Sequence, residues 1–155
     1  MKASTDDRNL PLVTLPCLCA NLRRTARAVT QLYDQALRPL GLRATQFTIL
    51  QALERTGEIT QGELGELLAT DSTTLTRTLH IMRRNGWIAE RRGDDRRQRW
   101  LGLAKAGRAQ LVRATPAWEK TQSRLAKKLG EGSWHTLFTL TGELTSLATS
   151  QGDLS

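Results

Sequence analysis

The chain has 155 residues and a formal net charge of +8, which suits one domain with its own core and a polyanionic partner, although charge alone does not distinguish DNA from RNA or a membrane surface. Its two cysteines are too few for a disulfide framework. Because no apolar run is long enough to span a bilayer and no signal peptide is recognisable, we expect a cytoplasmic protein without a membrane partner.

The first third of the chain predicts a polar arm followed by two helices. Residues 1–14 lack hydrophobic periodicity, so we expect a flexible N-terminal arm and a single domain over residues 15–155. Apolar residues at three- or four-residue spacing predict a first helix that starts near Pro16 and ends at Gly41. A second helix, closed by a glycine, is predicted over Thr45–Arg55.

The segment from Thr60 to Gly86 predicts two short helices joined by a tight turn. Thr60 and Glu63 form a capping box at the start of the first of them. Its apolar face is expected at Leu64, Leu67 and Leu68. Either Asp71 or Ser72 caps the second helix, and Gly86 is the kind of residue that follows a helix end. The inward stripe of this second helix is predicted at Leu75, Leu79 and Met82.

The opposite face of this second helix is polar and basic, with Thr73, Arg77, His80 and Arg84 at helical spacing. Small hydroxyls can reach phosphates or either kind of base, while arginine pairs bidentately with guanine. This face therefore predicts contact with the major groove of DNA. The alternative is an ordinary solvated helix face.

Arginines crowd the segment that follows, where we predict a β-hairpin with its loop at Gly93-Asp94-Asp95. The arginines of this segment are Arg91, Arg92, Arg96, Arg97 and Arg99. One at the tip can enter the minor groove, where the potential is negative, and Asp95 could hold Arg97 by a bidentate pair. The alternative is a merely soluble charged hairpin. Two helices and this hairpin together predict a winged helix-turn-helix in a mainly α fold, with duplex DNA as the partner.

The last third is predicted to be helical from Gly107 onwards. Pro116 should kink this helix rather than end it, and the break is expected at Gly130 and Gly132, with Ser133 capping a last helix. That helix carries a stripe at Leu137, Leu140, Leu144 and Leu147. Helices this remote from the winged motif need a surface to pack on, so we expect a homodimer. A two-fold dimer would read a pseudo-palindromic operator with half-sites about 10 base pairs apart.

Both cysteines lie in the predicted opening turn of the first helix, as Cys17-Leu18-Cys19. The positive end of the helix dipole favours a thiolate there, and Arg23, one turn after Cys19, adds to this effect. The alternative is that both are small hydrophobic residues. A small thiol peroxidase would use the same pair, but nothing resembles a βαβ unit or a Cys-x-x-Cys motif. With both histidines isolated, we predict no metal site, no cofactor and no enzyme.

The run from Asp95 to Gly107 resembles the wing signature of the multiple-antibiotic-resistance regulators (MarR family). In that signature an Asp-Arg-Arg run and a strand ending in Leu-Thr precede a glycine, and Ala104 stands where the threonine is usual. The runs 42–47 and 71–77 are also similar to the family's pattern, and the resemblance covers nearly the whole chain.

This resemblance implies a winged helix-turn-helix over residues 45–104 and dimerisation helices over residues 15–41 and 105–149. It also implies that Ser72, Thr73, Thr74, Thr76 and Arg77 read the major groove and that Arg97 enters the minor groove. With the other candidates added, the predicted DNA-binding set is Ser72, Thr73, Thr74, Thr76, Arg77, Arg84, Asp95, Arg96, Arg97 and Arg99. A regulator of this kind is expected to be a repressor.

Within the family, the stretch from Cys19 to Tyr33 is similar to the branch that senses organic hydroperoxides. Cys19 falls where that branch has its peroxide-reactive thiol, and Tyr33 matches one tyrosine that holds the thiolate. Arg23 and Ala44 stand where two other tyrosines would be. Because Tyr33 lies 14 residues beyond Cys19, about 21 Å along a helix, it could reach Cys19 only from the other subunit. Cys17 could resolve a sulfenic acid at Cys19 or bridge two subunits.

We therefore predict a regulator that leaves its operator when Cys19 is oxidised. The alternative inducer is a phenolic or other aromatic acid that binds between the dimer helices and the winged domain. Such a pocket could be lined by Arg23, Arg27, Trp118 and Trp134. Otherwise these residues are solvated arginines and core tryptophans.

Overall fold

The computed structural model describes residues 16–95 and 98–150. The predicted N-terminal arm, Arg96 and Arg97 lie outside the described residues. In chain order the elements are α1 (Leu18–Leu37), a 3-10 turn (Arg38–Leu40), α2 (Ala44–Thr56), β1 (Ile59–Thr60), α3 (Gln61–Leu67), α4 (Ser72–Arg84), β2 (Ile88–Arg92), β3 (Arg99–Leu103), α5 (Lys105–Leu129) and α6 (Glu131–Thr149). This mostly helical arrangement with a small antiparallel sheet confirms the predicted fold class. No helix of the described ranges combines the length and apolar character needed to cross a membrane.

The sheet contains one more strand than the predicted hairpin. β2 and β3 pair antiparallel as expected, and the two-residue β1 pairs with the other edge of β3, giving the order β1-β3-β2. In this register Ile59 lies opposite Leu101 and Ile88 lies opposite Leu103. Because side chains alternate along a strand, the fully buried Leu101 points into the core while the half-buried Trp100 points to the other face.

The hydrophobic core lies between α2, α3, α4, the sheet, the end of α1 and the first half of α5. The predicted inward stripe of α4 is confirmed, since its members Leu75, Leu79 and Met82 are buried. On α3 the prediction is only partly right, because Leu64 is buried and Leu68 half-buried while Leu67 is 56% exposed. A seven-residue helix touches the core along one narrow line, and Leu67 sits about 60° around the helix from Leu64.

Local caps bound the helices of the predicted winged segment. Thr60 and Glu63 form the predicted capping box, and Asp71 rather than Ser72 caps α4. Gly86 follows α4 with φ 68°, the left-handed conformation that glycine adopts at little cost.

The turn between α3 and α4 is held in a conformation that alanine rarely adopts. Ala69 has φ 46°, and the next residue, Thr70, donates its N–H to the carbonyl of Gly65 over 2.9 Å. An L-residue in the left-handed region costs about 1–2 kcal/mol. The turn is therefore maintained by the packing of the two helices and not by the preference of its own residues.

The two C-terminal helices begin earlier than their own sequence pattern predicts, although α5 starts at residue 105, the bound that the resemblance implies for the dimerisation helices. α5 starts at Lys105 and continues through Pro116, so the expectation that this proline does not end the helix is confirmed. The prediction that Ser133 caps α6 was wrong. α6 begins at Glu131, because Gly130 turns the chain at φ 86° and its carbonyl accepts the first helical hydrogen bond, from the N–H of Trp134.

Polar contacts tie the long helices to the winged part of the chain. Asp34 on α1 accepts a hydrogen bond of 2.7 Å from the N–H of Ala44, the first residue of α2. Two side chains of α5, those of Gln110 and Arg113, donate to the carbonyl of Leu40 over 2.7 and 2.9 Å. The end of α1 is thus fixed against both α2 and α5.

By contrast, α6 and most of α1 bury little surface within this chain. No residue of α6 is buried, and the only buried residue of α1 is Leu37. Several large apolar side chains of these helices are exposed by more than a third, namely Leu18, Leu22, Val29, Leu137, Phe138, Leu140 and Leu147. The described chain therefore leaves an apolar surface along these two helices.

The first turn of α5 packs directly on the loop between α4 and β2. A β-carbon added at Gly107 would lie 2.0 Å from the carbonyl oxygen of Trp87 and 2.8 Å from its carbonyl carbon. That same oxygen accepts a hydrogen bond of 3.0 Å from the N–H of Ala104. Only glycine fits this approach, which joins the exit of α4 to the entry of α5.

We expect Gly107→Ala to destabilise the protein by at least about 1–3 kcal/mol, because the added methyl group collides with backbone that cannot move freely. Gly62→Ala is the matched control, since nothing lies within 4 Å of the added carbon and alanine favours a helix by about 0.5–1 kcal/mol. Urea unfolding at one fixed protein concentration measures both. An unchanged midpoint for Gly107→Ala would show that the contact constrains nothing.

Candidate nucleic-acid interface

The N-terminus of α4 is built by a double hydrogen bond from Thr74 to Asp71. The Asp71 carboxylate accepts from the Thr74 N–H at 2.9 Å and from the Thr74 hydroxyl at 2.6 Å. The hydroxyl and then the backbone N–H of Thr74 lower the pKa of Asp71. The cap is therefore charged at neutral pH and holds the first turn of α4 in a defined conformation.

The face of α4 opposite the core is exposed, as predicted. Ser72, Thr73, Thr76 and Arg77 lie together over its first two turns. Arg84 is also exposed but lies seven residues beyond Arg77, about 10 Å further along the helix. The structure thus gathers the predicted hydroxyls around Arg77 and separates them from Arg84.

A residue absent from the sequence-based prediction joins this face. Gln61, the first residue of α3, donates from its side-chain amide to the hydroxyl of Thr76 over 3.0 Å. Both residues line an open groove of about 1100 Å³ formed by α3, α4, the start of β3 and the last residue of α6, together with Gln98 and Arg99. The signal that could have found Gln61 is its place directly after the capping residue of α3, where the turn to α4 brings it beside the first turns of that helix.

Near the loop end of β2, the side chain of Arg91 is held by contacts within the protein. Its guanidinium donates to both carboxylate oxygens of Glu58, over 2.7 to 3.1 Å, and lies 5.0 Å from the centre of the Trp100 ring. The hydrogen bond between the two raises the pKa of Arg91 and lowers that of Glu58. Arg91, which the sequence placed among the hairpin arginines, therefore supports the sheet.

Glu90 joins the hairpin to the end of α4. One of its oxygens lies 3.3 Å from Nη1 of Arg99 on β3, and the other pairs with Nε of Arg83 in the last turn of α4. Arg99 keeps an exposed side chain but has part of its charge balanced by this carboxylate. The helix and the hairpin are consequently oriented as one unit.

The hairpin loop closes through its backbone. Gly93 donates its N–H to the carbonyl of Gln98 at 3.0 Å, and Gln98 donates its own to the carbonyl of Asp95 at 2.9 Å. Because Arg96 and Arg97 lie outside the described residues, the predicted pair between Asp95 and Arg97 stays a prediction. So do the minor-groove role of Arg97 and the place of Arg96 in the DNA-binding set.

Both cysteines occupy the predicted opening turn of α1 and are exposed. Cys17 is the residue before the helix, and its carbonyl accepts two hydrogen bonds, from the backbone and the side chain of Asn21. Tyr33 lies in the same helix, far from Cys19, and its hydroxyl donates to the side chain of Gln122 on α5. Burial raises the pKa of Tyr33. Within one chain the structure does not bring Tyr33 to Cys19.

Tyr33 instead borders a small aromatic cavity of about 260 Å³ between α1, α2 and α5. Phe47 and Trp118 form part of its wall, with ring centres 5.7 Å apart. Of the four residues proposed for an aromatic-acid pocket, only Trp118 lines this cavity. Arg23 and Arg27 lie along a different surface of α1, and Trp134 packs on Phe138 of α6.

Comparison with protein families and solved structures gives concordant results. Residues 42–98 match the model of the MarR family. The chain is similar to the DNA-bound crystal structure of the transcriptional regulator MosR from M. tuberculosis, with 36% identity over 85% of this chain and 96% of that one, at a TM-score of 0.77. It is also similar to a mutant of E. coli MarR complexed with operator DNA, with 25% identity over 82% and 92% of the two chains and a TM-score of 0.73.

A further relative is an uncharacterised helix-turn-helix transcriptional regulator of Bacillus subtilis, YwoH. It is 32% identical over 88 residues, which span 57% of this chain and 64% of that protein. These relatives are transcriptional regulators and not enzymes, in agreement with the prediction of a non-enzymatic protein and against a thiol peroxidase. Within the described ranges, no three side chains of the histidine, cysteine or carboxylate types are grouped as metal ligands would be.

Proposed function

Since the chain belongs to the MarR family of winged-helix transcriptional regulators, we propose that it is a dimeric repressor that binds a pseudo-palindromic DNA operator and leaves it when Cys19 is oxidised. The observation that carries the DNA-binding part is the exposed face of α4, with its hydroxyls and Arg77, held beside a basic hairpin by Glu90. Two of the similar solved structures are complexes with DNA.

The chemistry of this surface suits a duplex. The first turns of α4 offer hydroxyls that can contact phosphates or bases, and Arg77 can pair with guanine in the major groove. The hairpin extends the basic surface beyond the helix with Arg96 and Arg99, and Arg97 would enter the minor groove. A net charge of +8 steers the whole protein towards a polyanion.

The apolar surface on α1 and α6 supports the homodimer. Leu137 and Leu140 are 44% and 56% exposed, and a contiguous apolar face of this kind is normally covered by a partner. A second copy would supply a matching surface, because a two-fold interface uses the same patch on both subunits. The two copies of α4 would then face successive major grooves of one operator.

Oxidation offers a physical route to release. The Cys19 thiol reduces an organic hydroperoxide to the alcohol and becomes a sulfenic acid, and the Cys17 thiol then attacks that sulfur and expels water to form a disulfide. Cys17 lies just before α1 in extended backbone and Cys19 lies in its first turn, so we expect this short bridge to distort that turn. α1 also carries Asp34, which caps α2, and its movement would change the spacing of the two α4 helices.

A phenolic or other aromatic ligand is the second candidate inducer. The cavity between α1, α2 and α5, with Tyr33, Phe47 and Trp118 in its wall, favours it. Its volume of about 260 Å³ is enough for a single aromatic ring. A ligand that fills the cavity would separate α1 from α2. It would thereby disturb the hydrogen bond between Asp34 and the first residue of α2, which we also expect oxidation to disturb.

Arg77→Ala should weaken binding to the DNA upstream of the protein's own gene by about 1–3 kcal/mol, because one guanidinium contact is lost. Fluorescence anisotropy at fixed salt measures this loss. Arg124→Ala removes the same charge near the far end of α5 and should leave affinity nearly unchanged. If wild-type protein shows no preference for this DNA over bulk competitor, the proposed function fails; equal affinities for wild type and Arg77→Ala would exclude α4 as the reading helix.

Replacement of Leu137 and Leu140 by arginine should give a monomer or an insoluble chain, because the shared apolar face of α6 is lost. Sedimentation measures the oligomeric state. Val112→Arg is the control, since Val112 is 68% exposed on the half of α5 that packs on the winged part. A doubly substituted protein that remains a dimer would place the interface elsewhere.

An organic hydroperoxide should release operator DNA from the wild type but not from Cys19→Ser, and a thiol reductant should restore binding. Cys17→Ser should still react once, yet yield a sulfenic acid instead of a disulfide, as intact-protein mass spectrometry would reveal. Equal release from wild type and Cys19→Ser would end the thiol mechanism. Release of both by an aromatic acid alone would favour the ligand.

A further inference from the structure

Two threonine hydroxyls on the exposed side of α4 each use part of their hydrogen-bonding capacity within the protein. A threonine hydroxyl has one hydrogen to donate and two lone pairs that accept. The Thr74 hydroxyl donates its hydrogen to Asp71 over 2.6 Å, so only its lone pairs face outwards. The Thr76 hydroxyl accepts from Gln61 over 3.0 Å, and no acceptor for its own hydrogen is found in the described part of the chain.

We propose that Gln61 is a specificity-determining residue that acts through Thr76. Its amide fills one of the two lone pairs of the Thr76 oxygen, so the hydroxyl presents its hydrogen and one remaining lone pair to a base. The hydrogen gains an acceptor opposite the N7 and O6 of guanine, the N7 of adenine or the O4 of thymine. The amino edge of cytosine would use only the remaining lone pair and leave the hydrogen without an acceptor, so it is disfavoured. This inference rests on the proposed function, because it concerns which base the same face prefers.

The position of Gln61 suits this role. It is the first residue of α3, directly after Thr60, whose capping box with Glu63 fixes the start of that helix. The hydrogen bonds of Thr60 also lower the pKa of Glu63, so this anchor is charged at neutral pH. Gln61 is half-buried and lines the groove between α3, α4 and β3 alongside Thr76.

The opposite assignments of Thr74 and Thr76 have a common origin. Each hydroxyl is hydrogen-bonded to a residue at the start of a helix, Asp71 directly before α4 and Gln61 as the first residue of α3. Asp71 can only accept and Gln61 donates, so these two hydroxyls, at opposite edges of the exposed face of α4, differ in hydrogen-bonding character. A wrong base opposite Thr76 would leave its hydrogen without an acceptor, which costs about 2- to 10-fold in affinity for one neutral hydrogen bond.

The test is selection of binding sites from a randomised operator library by the full-length dimer, for wild type, Gln61→Ala, Gln61→Glu and Thr76→Val. We expect Gln61→Ala and Thr76→Val to lose preference at the same single position in each half-site, by about 2- to 10-fold. The double variant should lose no more than either alone. A carboxylate can only accept, so Gln61→Glu should take the Thr76 hydrogen and shift that position towards cytosine or adenine, which offer amino groups.

Gln98→Glu is the matched control for charge, because Gln98 lines the same groove but is not bonded to Thr76. It should weaken binding to all sites without changing the preferred base at that position. Urea midpoints and sedimentation confirm that each variant is folded and dimeric. A merely structural role for Gln61 would lower the midpoint and leave base preference intact.

The possible outcomes separate the two proposals. If wild type selects no sequence, the proposed function fails. If wild type selects an operator and the Gln61 variants select the same one, or lose affinity equally on every sequence, the specificity role of Gln61 is overturned while the proposed function stands. Additive effects of Gln61→Ala and Thr76→Val would show that Gln61 does not act through Thr76.

Discussion

The burial of one stripe of α4 determines what the rest of this molecule can do. Leu75, Leu79 and Met82 pack into the core shared by α2, the sheet and α5. Since a helix is rigid, this packing decides that the hydroxyls and Arg77 lie outside. The cap by Asp71, the hydrogen bond from Gln61 and the ion pair between Arg83 of α4 and Glu90 of the hairpin then refine a face that the core has already oriented.

The connection between this face and the long helices is short and polar. Asp34 caps α2, two side chains of α5 hold the carbonyl of Leu40, and α5 begins in direct contact with the backbone after α4. Apolar packing alone would let these elements slide, whereas hydrogen bonds and a backbone contact have defined partners. The proposed switch at Cys17 and Cys19 acts on α1, and this connection would carry its movement towards α4.

Features that depend on neighbouring residues could be predicted from sequence. The capping box of Thr60 and Glu63, the cap by Asp71 and the inward stripe of α4 arise from spacings of three or four residues. The two-residue strand β1 was missed because so short a segment has no periodicity of its own. The predicted burial of Leu67 was wrong because it depended on how a short helix packs on the core. The predicted start of α6 was wrong because it depended on the turn at Gly130.

Contacts between distant residues escaped prediction for a different reason. Gln61 meets Thr76 across a turn, Arg91 meets Glu58 across 33 positions, and Tyr33 meets Gln122 across 89. Nothing in the local pattern distinguishes such partners from solvated polar residues, because the fold alone brings them together. Several predicted roles, including those of Arg97 and Cys19, concern partners that a single chain does not contain.

Ala69 is a position at which this fold is less stable than it could be. Its left-handed backbone conformation destabilises the folded chain, and glycine would adopt it at less cost, yet the helices on either side keep it in place. Replacement of Ala69 by glycine during evolution would therefore add stability without altering any atom of the face presented by α4. Such a site lets a lineage tolerate otherwise damaging changes in its reading residues, and so widens the set of sequences from which new binding preferences can evolve.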